Sequence, residues 1–254
     1  MDDTTIRIVD LYKSFNGQKV LDGISLDVKR GKITVIIGKS GGGKSVLMKH
    51  LIGLLKPDSG EIWIDGTEIT KLKDRELNQV RMKFGMLFQE AALFDSMNVF
   101  ENVAFPLREH TKLQEKEIKK TVEDRLKAVG LLASAEKMPS ELSGGMRKRV
   151  GLARALALDP DIILFDEPTS ALDPVIALTI EDLIKETQTR FQKTYVVISH
   201  DVAGMFRIAD TVAMLNNGKI VASGTPYEIK RSSQEAVKEF LRATKIPGFA
   251  GGEI

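Results

Sequence analysis

The stretch GKSGGGKS at residues 38–45 decides the fold. It fits the pattern G-x-x-x-x-G-K-S/T, in which glycines let successive backbone N–H groups converge on phosphate oxygens. In that pattern Lys44 reaches the β- and γ-phosphates and the Ser45 hydroxyl ligates Mg²⁺. An apolar strand pattern precedes the loop, and a helix pattern over about residues 44–55 follows it, with its N-terminus toward the same anion. A flexible glycine turn is the alternative, and these flanking patterns count against it.

Outward from the loop, two kinds of pattern alternate along the chain. The first thirty residues and EIWIDG (61–66) alternate apolar and polar positions, which is typical of antiparallel strands with one wet face. The runs IILF (162–165) and YVVI (195–198) have the length of buried strands, and the helix patterns between them indicate a parallel sheet. Residues 90–158 show helical spacing instead. The sequence therefore predicts an α/β fold with an antiparallel β subdomain and an inserted α-helical subdomain.

Bulk composition narrows the class of protein. The chain has 254 residues, of which 43% are apolar, so it is long enough to bury a substantial core. We expect one domain over residues 1–254, with 234–254 as a C-terminal extension. The net charge is only +2, so nothing demands nucleic acid as a partner. The absence of cysteine excludes disulfide scaffolds and thiolate metal sites.

The N-terminal residues and the lengths of the apolar runs indicate whether this chain enters or crosses a membrane. MDDTTIRIVD at residues 1–10 is acidic and lacks the apolar region of a signal peptide. The apolar runs are far shorter than a membrane span. If the protein works at a membrane, we expect another chain to cross it.

Two acids follow the strand IILF. Asp166 lies where a doubly wound sheet exposes its ligand edge, and its carboxylate can hold Mg²⁺ through water. Glu167 comes next, faces another direction and is placed to polarise an attacking water. A chance pair of acids at a strand end is the alternative, and the phosphate loop upstream makes it much less attractive.

The sequence LSGGM (142–146) opens a second candidate anion site. Ser143 suits a helix N-cap, and Gly144 and Gly145 leave the first N–H groups uncovered. An ordinary capped basic helix is the alternative. One chain already has one loop for one γ-phosphate, so a second anion site makes sense if it serves the nucleotide of another subunit.

With these motifs in place, the chain resembles an ABC transporter nucleotide-binding domain over nearly its whole length. LSGGM matches the signature, although the family more often has Gln where Met146 stands. SALDP (170–174) matches the D-loop, and Asp173 followed by proline is also a good helix start. The resemblance implies an ATP-hydrolysing homodimer that uses ATP and Mg²⁺ and binds no nucleic acid.

The resemblance also assigns roles to single residues. Gln89 matches the Q-loop that senses Mg²⁺ and the permease, and His200 matches the switch histidine that contacts the γ-phosphate; without the family, both would be read as structural. Phe15 lies at the position that stacks on adenine, with Tyr12 as the competing aromatic. The expected catalytic residues are Glu167, His200, Gln89 and Lys44. The expected metal ligands are Ser45, Gln89 and Asp166. The expected nucleotide-binding residues are Phe15, Gly38, Lys39, Ser40, Gly41, Gly42, Gly43, Lys44, Ser45, Val46, Ser143, Gly144, Gly145 and Asp173.

The segment after Gln89 is the most discriminating within the family. FQEAALFDSMNVFENVAFPLREH (88–110) resembles the ATPases of MCE-linked lipid transport systems, the Mla (maintenance of lipid asymmetry) type, and so does Val46 where most relatives carry Ser or Thr. This resemblance implies phospholipid as cargo, two permease subunits in the membrane, an MCE-domain protein beyond it, and a place on the cytoplasmic face of a bacterial inner membrane. It also suggests that the extension at 234–254 reaches the partner protomer, with a frayed terminus as the alternative.

Other classes of ABC protein fit less well. ATPases of DNA repair or chromosome structure carry a long coiled coil inside the cassette, and the interval between Gln89 and Ser143 is too short for one. Translation-type ABC proteins carry two cassettes in one chain. A binding module without hydrolysis is disfavoured by Glu167 and His200. An importer of amino acids or another small solute is the closest alternative.

Overall fold

The computed structural model describes residues 3–244, so the predicted tail at 245–254 lies outside the described residues. The chain divides into two units, described separately below: unit 1 comprises residues 1–81 and 194–254, and unit 2 comprises residues 82–193.

Unit 1 holds the strands on both sides of the phosphate loop. Its strands are β1 (Thr4–Phe15), β2 (Gln18–Lys29), β3 (Ile33–Ile37), β4 (Ser59–Ile64), β5 (Thr67–Glu68), β8 (Thr194–Ser199), β9 (Thr211–Asn216) and β10 (Lys219–Gly224). Its helices are α1 (Lys44–Leu51), α2 (Asp74–Arg81), α7 (Val202–Ile208), α8 (Pro226–Lys230) and α9 (Glu235–Ala243).

Unit 2 holds the interval that the sequence marks as helical. Its strands are β6 (Phe84–Leu87) and β7 (Ile162–Asp166), and its α-helices are α3 (Val99–His110), α4 (Glu115–Ala128), α5 (Gly144–Ala155) and α6 (Pro174–Phe191). The helices α3, α4 and α5 fall within residues 90–158, and the division of the chain into subdomains stays a prediction.

The predicted antiparallel sheet is confirmed in unit 1, where the strand order is β2-β1-β4-β5. In the same unit β3 pairs in parallel with both β8 and β9, and every residue of β3 and β8 is buried. Strands buried on both faces need apolar side chains at consecutive positions, which explains the continuous apolar runs. β9 and β10 form a hairpin whose turn residues Asn217 and Gly218 both have positive φ, the conformation that an Asn-Gly pair adopts readily in a tight turn. The α/β class is confirmed.

One helix boundary differs from the prediction. The helix after the phosphate loop ends at Leu51, not near residue 55. Gly53 has φ +64, a left-handed conformation that ends a helix. Among residues 3–244, no helix has both the length and the apolar character needed to cross a bilayer.

Candidate active site

The phosphate loop is closely packed against its own unit. A Cβ at Gly38 would lie 2.2 Å from the carbonyl oxygen of Leu215, so no side chain fits there. Gly43 has φ +96, and a Cβ on it would lie 2.9 Å from the carbonyl oxygen of Val20. The two glycines therefore let the backbone pass where any other residue would clash, and the loop runs directly into α1.

The side chain of Lys44 is held in place by hydrogen bonds to the backbone of the same loop. Its ammonium donates to the carbonyl oxygens of Gly38 at 2.8 Å and Lys39 at 3.1 Å, and the residue is 6% exposed. Ser45, the next residue, is exposed. A buried cation and an exposed hydroxyl at the start of a helix fit a bound polyphosphate with its metal ion.

His200 leaves the sheet beside the phosphate loop. β3 and β8 are parallel and in register, with Ile37 opposite Ser199. Gly38 and His200 therefore follow neighbouring strand ends at the same edge of the sheet, where ligands bind in open α/β folds. His200 is exposed.

The two aromatic candidates for adenine differ in their surroundings. The Tyr12 hydroxyl lies 2.9 Å from the Cβ position of Gly23, so its ring is packed on the neighbouring strand. Phe15 ends β1, is 42% exposed, and has the Lys13 ammonium 5.5 Å from its ring centroid. Tyr12 is 39% exposed, so the two residues are almost equally accessible and the choice between them stays open.

In unit 2 two strand ends bring the remaining candidates together. β6 and β7 are parallel, with Leu87 opposite Phe165. Gln89 comes just after the first strand, Asp166 ends the second and Glu167 follows it, so all three lie at one edge. Gln89 is exposed, and both acids are partly exposed.

The backbone at Glu167 is left-handed, with φ +49. A non-glycine residue in this region costs about 1–3 kcal/mol and persists only where neighbours hold it. The Glu167 carbonyl oxygen accepts from the Ser170 hydroxyl at 2.9 Å, the Ser170 N–H at 3.2 Å and the Lys148 ammonium at 3.2 Å. These donors fix the direction in which the peptide, and with it the side chain, leaves the strand.

Two basic residues of α5 that were not predicted from the sequence hold this edge. Lys148 donates to the carbonyl oxygens of Gln89 and Glu167. Arg154 donates to those of Ala91 at 2.7 Å and Ala92 at 2.8 Å. Burial lowers the pKa of both groups, and for Lys148 the nearby carboxylates oppose that shift. The sequence does contain one sign of this role, because helical spacing places Lys148 on the buried face of α5, where a charged side chain is unusual.

Both predicted helix caps are present. The Ser143 hydroxyl accepts from the Met146 N–H at 3.3 Å at the start of α5. The Asp173 carboxylate accepts from the N–H groups of Val175 at 3.1 Å and Ile176 at 3.0 Å at the start of α6. The caps fix where each helix begins, and Ser143 remains exposed at the surface.

The two helix starts pack closely at the signature glycines, most tightly at Gly145. A Cβ on Gly145 would lie 2.6 Å from Cγ2 of Ile176, and one on Gly144 would lie 3.2 Å from Cδ2 of Leu172. Segment 142–146 is therefore seated against segment 170–176 of the same unit.

Comparison with known proteins decides the family. The family profile described as "ABC transporter" matches residues 21–170, more than half of the chain. The chain belongs to the ABC transporter family. It is an ATPase subunit of that family and binds ATP.

Two relatives and two solved structures place this ABC ATPase further. It is 45% identical to the intermembrane phospholipid transport system ATP-binding protein MlaF of Escherichia coli K12, covering 100% of this chain and 94% of that one. It is 44% identical to the probable ribonucleotide transport ATP-binding protein mkl of Mycobacterium leprae, covering 95% and 70%. CbiO1 of Clostridium perfringens, part of the cbiONQ transporter complex, matches with TM-score 0.85 and 31% identity over 95% of this chain and 96% of that one. The cassette MJ0796, solved as a dimer with ADP and phosphate, matches with TM-score 0.79 and 32% identity over 87% and 98%.

Proposed function

We propose that this ABC ATPase powers phospholipid transport at a bacterial inner membrane, through separate permease subunits and an MCE-domain protein. The observation that carries the proposal is the 45% identity to MlaF over the whole of this chain and nearly all of the relative. A similar identity, 45% over 95% of this chain, holds for MlaF of Haemophilus influenzae.

A groove in unit 2 supports a permease partner. It has a volume of about 440 Å³, and its lining is mainly apolar. Phe88 and Phe94 line it and are 42% and 41% exposed, and Phe105, Pro106 and Arg154 are among the other lining residues. Exposed aromatic rings around a groove are typical of a docking site for an apolar helix face. The groove lies directly after Gln89, so a docked helix would contact the segment that holds that residue. We propose that the permease binds here, on the cytoplasmic side.

We propose that two copies of the chain share two ATP molecules. Lys44 and Ser45 of one copy hold the phosphates, and Ser143 and Gly145 of the other copy complete the cradle. The exposed, capped N-terminus of α5 supports this proposal, because its first N–H groups and its dipole favour an anion. The related cassette MJ0796 forms a dimer in its post-hydrolysis state, which supports the same arrangement.

The catalytic roles follow from the chemistry of the side chains. Glu167 accepts a proton from the attacking water, while Gln89 and His200 orient that water and the γ-phosphate. Lys44 stabilises charge on the phosphate oxygens. Positioning and charge stabilisation supply most of the rate enhancement in phosphoryl transfer.

We propose Ser45, Gln89 and Asp166 as the ligands of a Mg²⁺ ion bound with the nucleotide. Mg²⁺ usually takes one or two protein carboxylates together with substrate phosphates and waters, and a single carboxylate with a hydroxyl and an amide suits it. When bound, the ion neutralises charge on the β- and γ-phosphates.

The role of Glu167 is tested by Glu167→Gln. We expect ATP binding to persist and turnover to fall by about 100-fold or more, because a general base contributes 10²–10⁴-fold. The matched control is Glu123→Gln, an acid on the exposed face of α4. Turnover near wild type in Glu167→Gln would remove this residue from the base role.

The cargo is tested with the assembled transporter. The chain is co-expressed with a permease and an MCE-domain protein of the same organism, and the purified complex is placed in proteoliposomes. We expect ATP-dependent transfer of labelled phospholipid, which stops in the complex that carries Glu167→Gln. Because the relative mkl is named for ribonucleotide transport, the same vesicles are offered labelled ribonucleotide. Ribonucleotide movement without lipid transfer would replace lipid by a small solute as cargo.

A further inference from the structure

α5 carries a lysine where helix packing leaves little room for a charge. Lys148 is 5% exposed and lies on the same face of the helix as the buried residues Gly145, Leu152 and Ala155. Burying an ammonium carries a desolvation penalty of several kcal/mol unless hydrogen bonds compensate it. A methionine would fill a similar volume without that penalty, so packing alone does not explain the lysine.

The ammonium of Lys148 is satisfied by two backbone carbonyls from two different strand ends. One belongs to Gln89 after β6, and the other, at 3.2 Å, belongs to Glu167 after β7. The carboxylates of Glu90, Asp166 and Glu167 are close enough to stabilise its charge. One cation therefore joins the backbone at both residues.

The carbonyl contact matters most at Glu167, because its backbone is left-handed. The two Ser170 donors come from the same turn and move with it. Lys148 comes from α5, so its hydrogen bond ties this turn to another element. Losing this hydrogen bond removes one restraint on a left-handed backbone, which favours relaxation of the Glu167 peptide toward a commoner conformation and a shift of its carboxylate.

We propose that Lys148 is a positioning residue for hydrolysis, which holds the backbone of Glu167 and Gln89 in the geometry that turnover requires and links that geometry to the signature helix. The inference rests on the proposed roles of Glu167 as base and Gln89 as orienting residue. Lys148 touches no reacting atom and acts through the backbone of these two residues.

The first experiment separates turnover from binding. Full-length Lys148→Met, Lys148→Gln and a control, Lys119→Met, are compared with wild type for kcat, for KM of ATP and for melting temperature. Lys119 is 69% exposed on α4. We expect Lys148→Met to lower kcat at least tenfold with KM within twofold. Lys148→Gln keeps N–H donors and should fall between Lys148→Met and wild type, while Lys119→Met matches wild type.

A kcat within twofold of wild type in Lys148→Met would overturn the proposal, and so would an unchanged kcat with a tenfold rise in KM. If Lys148→Met does not fold, Lys148→Gln decides by the same criteria, with at least a threefold loss of kcat expected.

The second experiment tests whether Lys148 acts on hydrolysis or merely shapes the signature helix. Glu167→Gln alone and Glu167→Gln combined with Lys148→Met are mixed with ATP and Mg²⁺, and their mass is followed by light scattering. We expect both to dimerise, because positioning for hydrolysis is not needed for dimer formation. Loss of dimerisation only in the double variant would assign Lys148 a structural role and overturn the proposal. If Glu167→Gln alone stays monomeric or keeps hydrolysing ATP, the proposed shared site or the proposed role of Glu167 as base is wrong. That outcome is distinct from a failure of the Lys148 proposal, which shows only in the variants of Lys148.

Discussion

Arg154→Met is expected to destabilise the segment that follows Gln89. The guanidinium donates to the carbonyl oxygens of Ala91 and Ala92, which both have left-handed backbones, with φ +59 and +46. Each hydrogen bond from a charged group contributes about 1.5–3 kcal/mol. Removing the half-buried cation also removes part of the penalty for desolvating it, so we expect the free energy of unfolding to fall by about 2–4 kcal/mol in total. For a chain of this length that corresponds to a fall of roughly 4–8 °C in Tm.

The assay is thermal unfolding of the purified chain, paired with binding to its permease. Arg147→Met is the matched control, because Arg147 is an exposed arginine of the same helix with one bond, at 3.1 Å, to the Pro139 carbonyl. Its Tm is expected to fall by no more than about 3 °C. Permease binding should weaken in Arg154→Met, whose side chain lines the apolar groove, while ATP binding persists. An unchanged Tm with full permease binding would refute the reasoning.

Three further predictions concern unit 1. Gly43→Ala puts a Cβ 2.9 Å from the Val20 carbonyl oxygen, on a backbone with φ +96. We expect the affinity for ATP, measured by calorimetry, to fall at least about tenfold. An unchanged affinity would contradict the claim that the loop has no room for a side chain at this position. Phe15→Ala should weaken ATP binding by about tenfold, because stacking of an aromatic side chain on a base contributes about 1–3 kcal/mol. A Kd equal to that of wild type would show that adenine does not stack on Phe15. His50 is buried and donates from Nδ1 to the Val46 carbonyl oxygen at 2.7 Å; burial lowers its pKa, so the unfolded chain binds the proton more readily. The resulting stability is present above pH 6.5 and is lost as pH falls through the folded pKa, so Tm between pH 8 and 5.5 should drop more in wild type than in His50→Gln, and equal drops would contradict this.

The strand ends and helix caps follow from local sequence. The phosphate loop needs glycine at particular positions, and Ser143 and Asp173 cap helices with their own side chains, so neighbours in sequence suffice to predict them. The alternating strands around the loop were also readable, because each face of a sheet imposes its period on the side chains.

The contacts of α5 could not be predicted from the sequence. Lys148 lies nearly sixty residues along the chain from Gln89, and only the packed structure shows which carbonyls its ammonium reaches. Helix α3 was not predicted with its bounds, because Pro106 lies inside it and proline usually ends a helix. Asn102 in that helix is fully buried and bonds to the backbone of Phe94 and Met97, a set of contacts that stabilises the loop before it.

The most direct test of the central claim, that ATP is hydrolysed at a site shared by two copies, is the mass of Glu167→Gln in solution. The chain has a mass of 28.1 kDa. With ATP and Mg²⁺, light scattering should show twice that mass, and the variant that also carries Ser143→Arg should stay at the mass of one chain while still binding ATP. A single-chain mass for Glu167→Gln at saturating ATP, or a dimer that forms despite Ser143→Arg, would contradict the shared site.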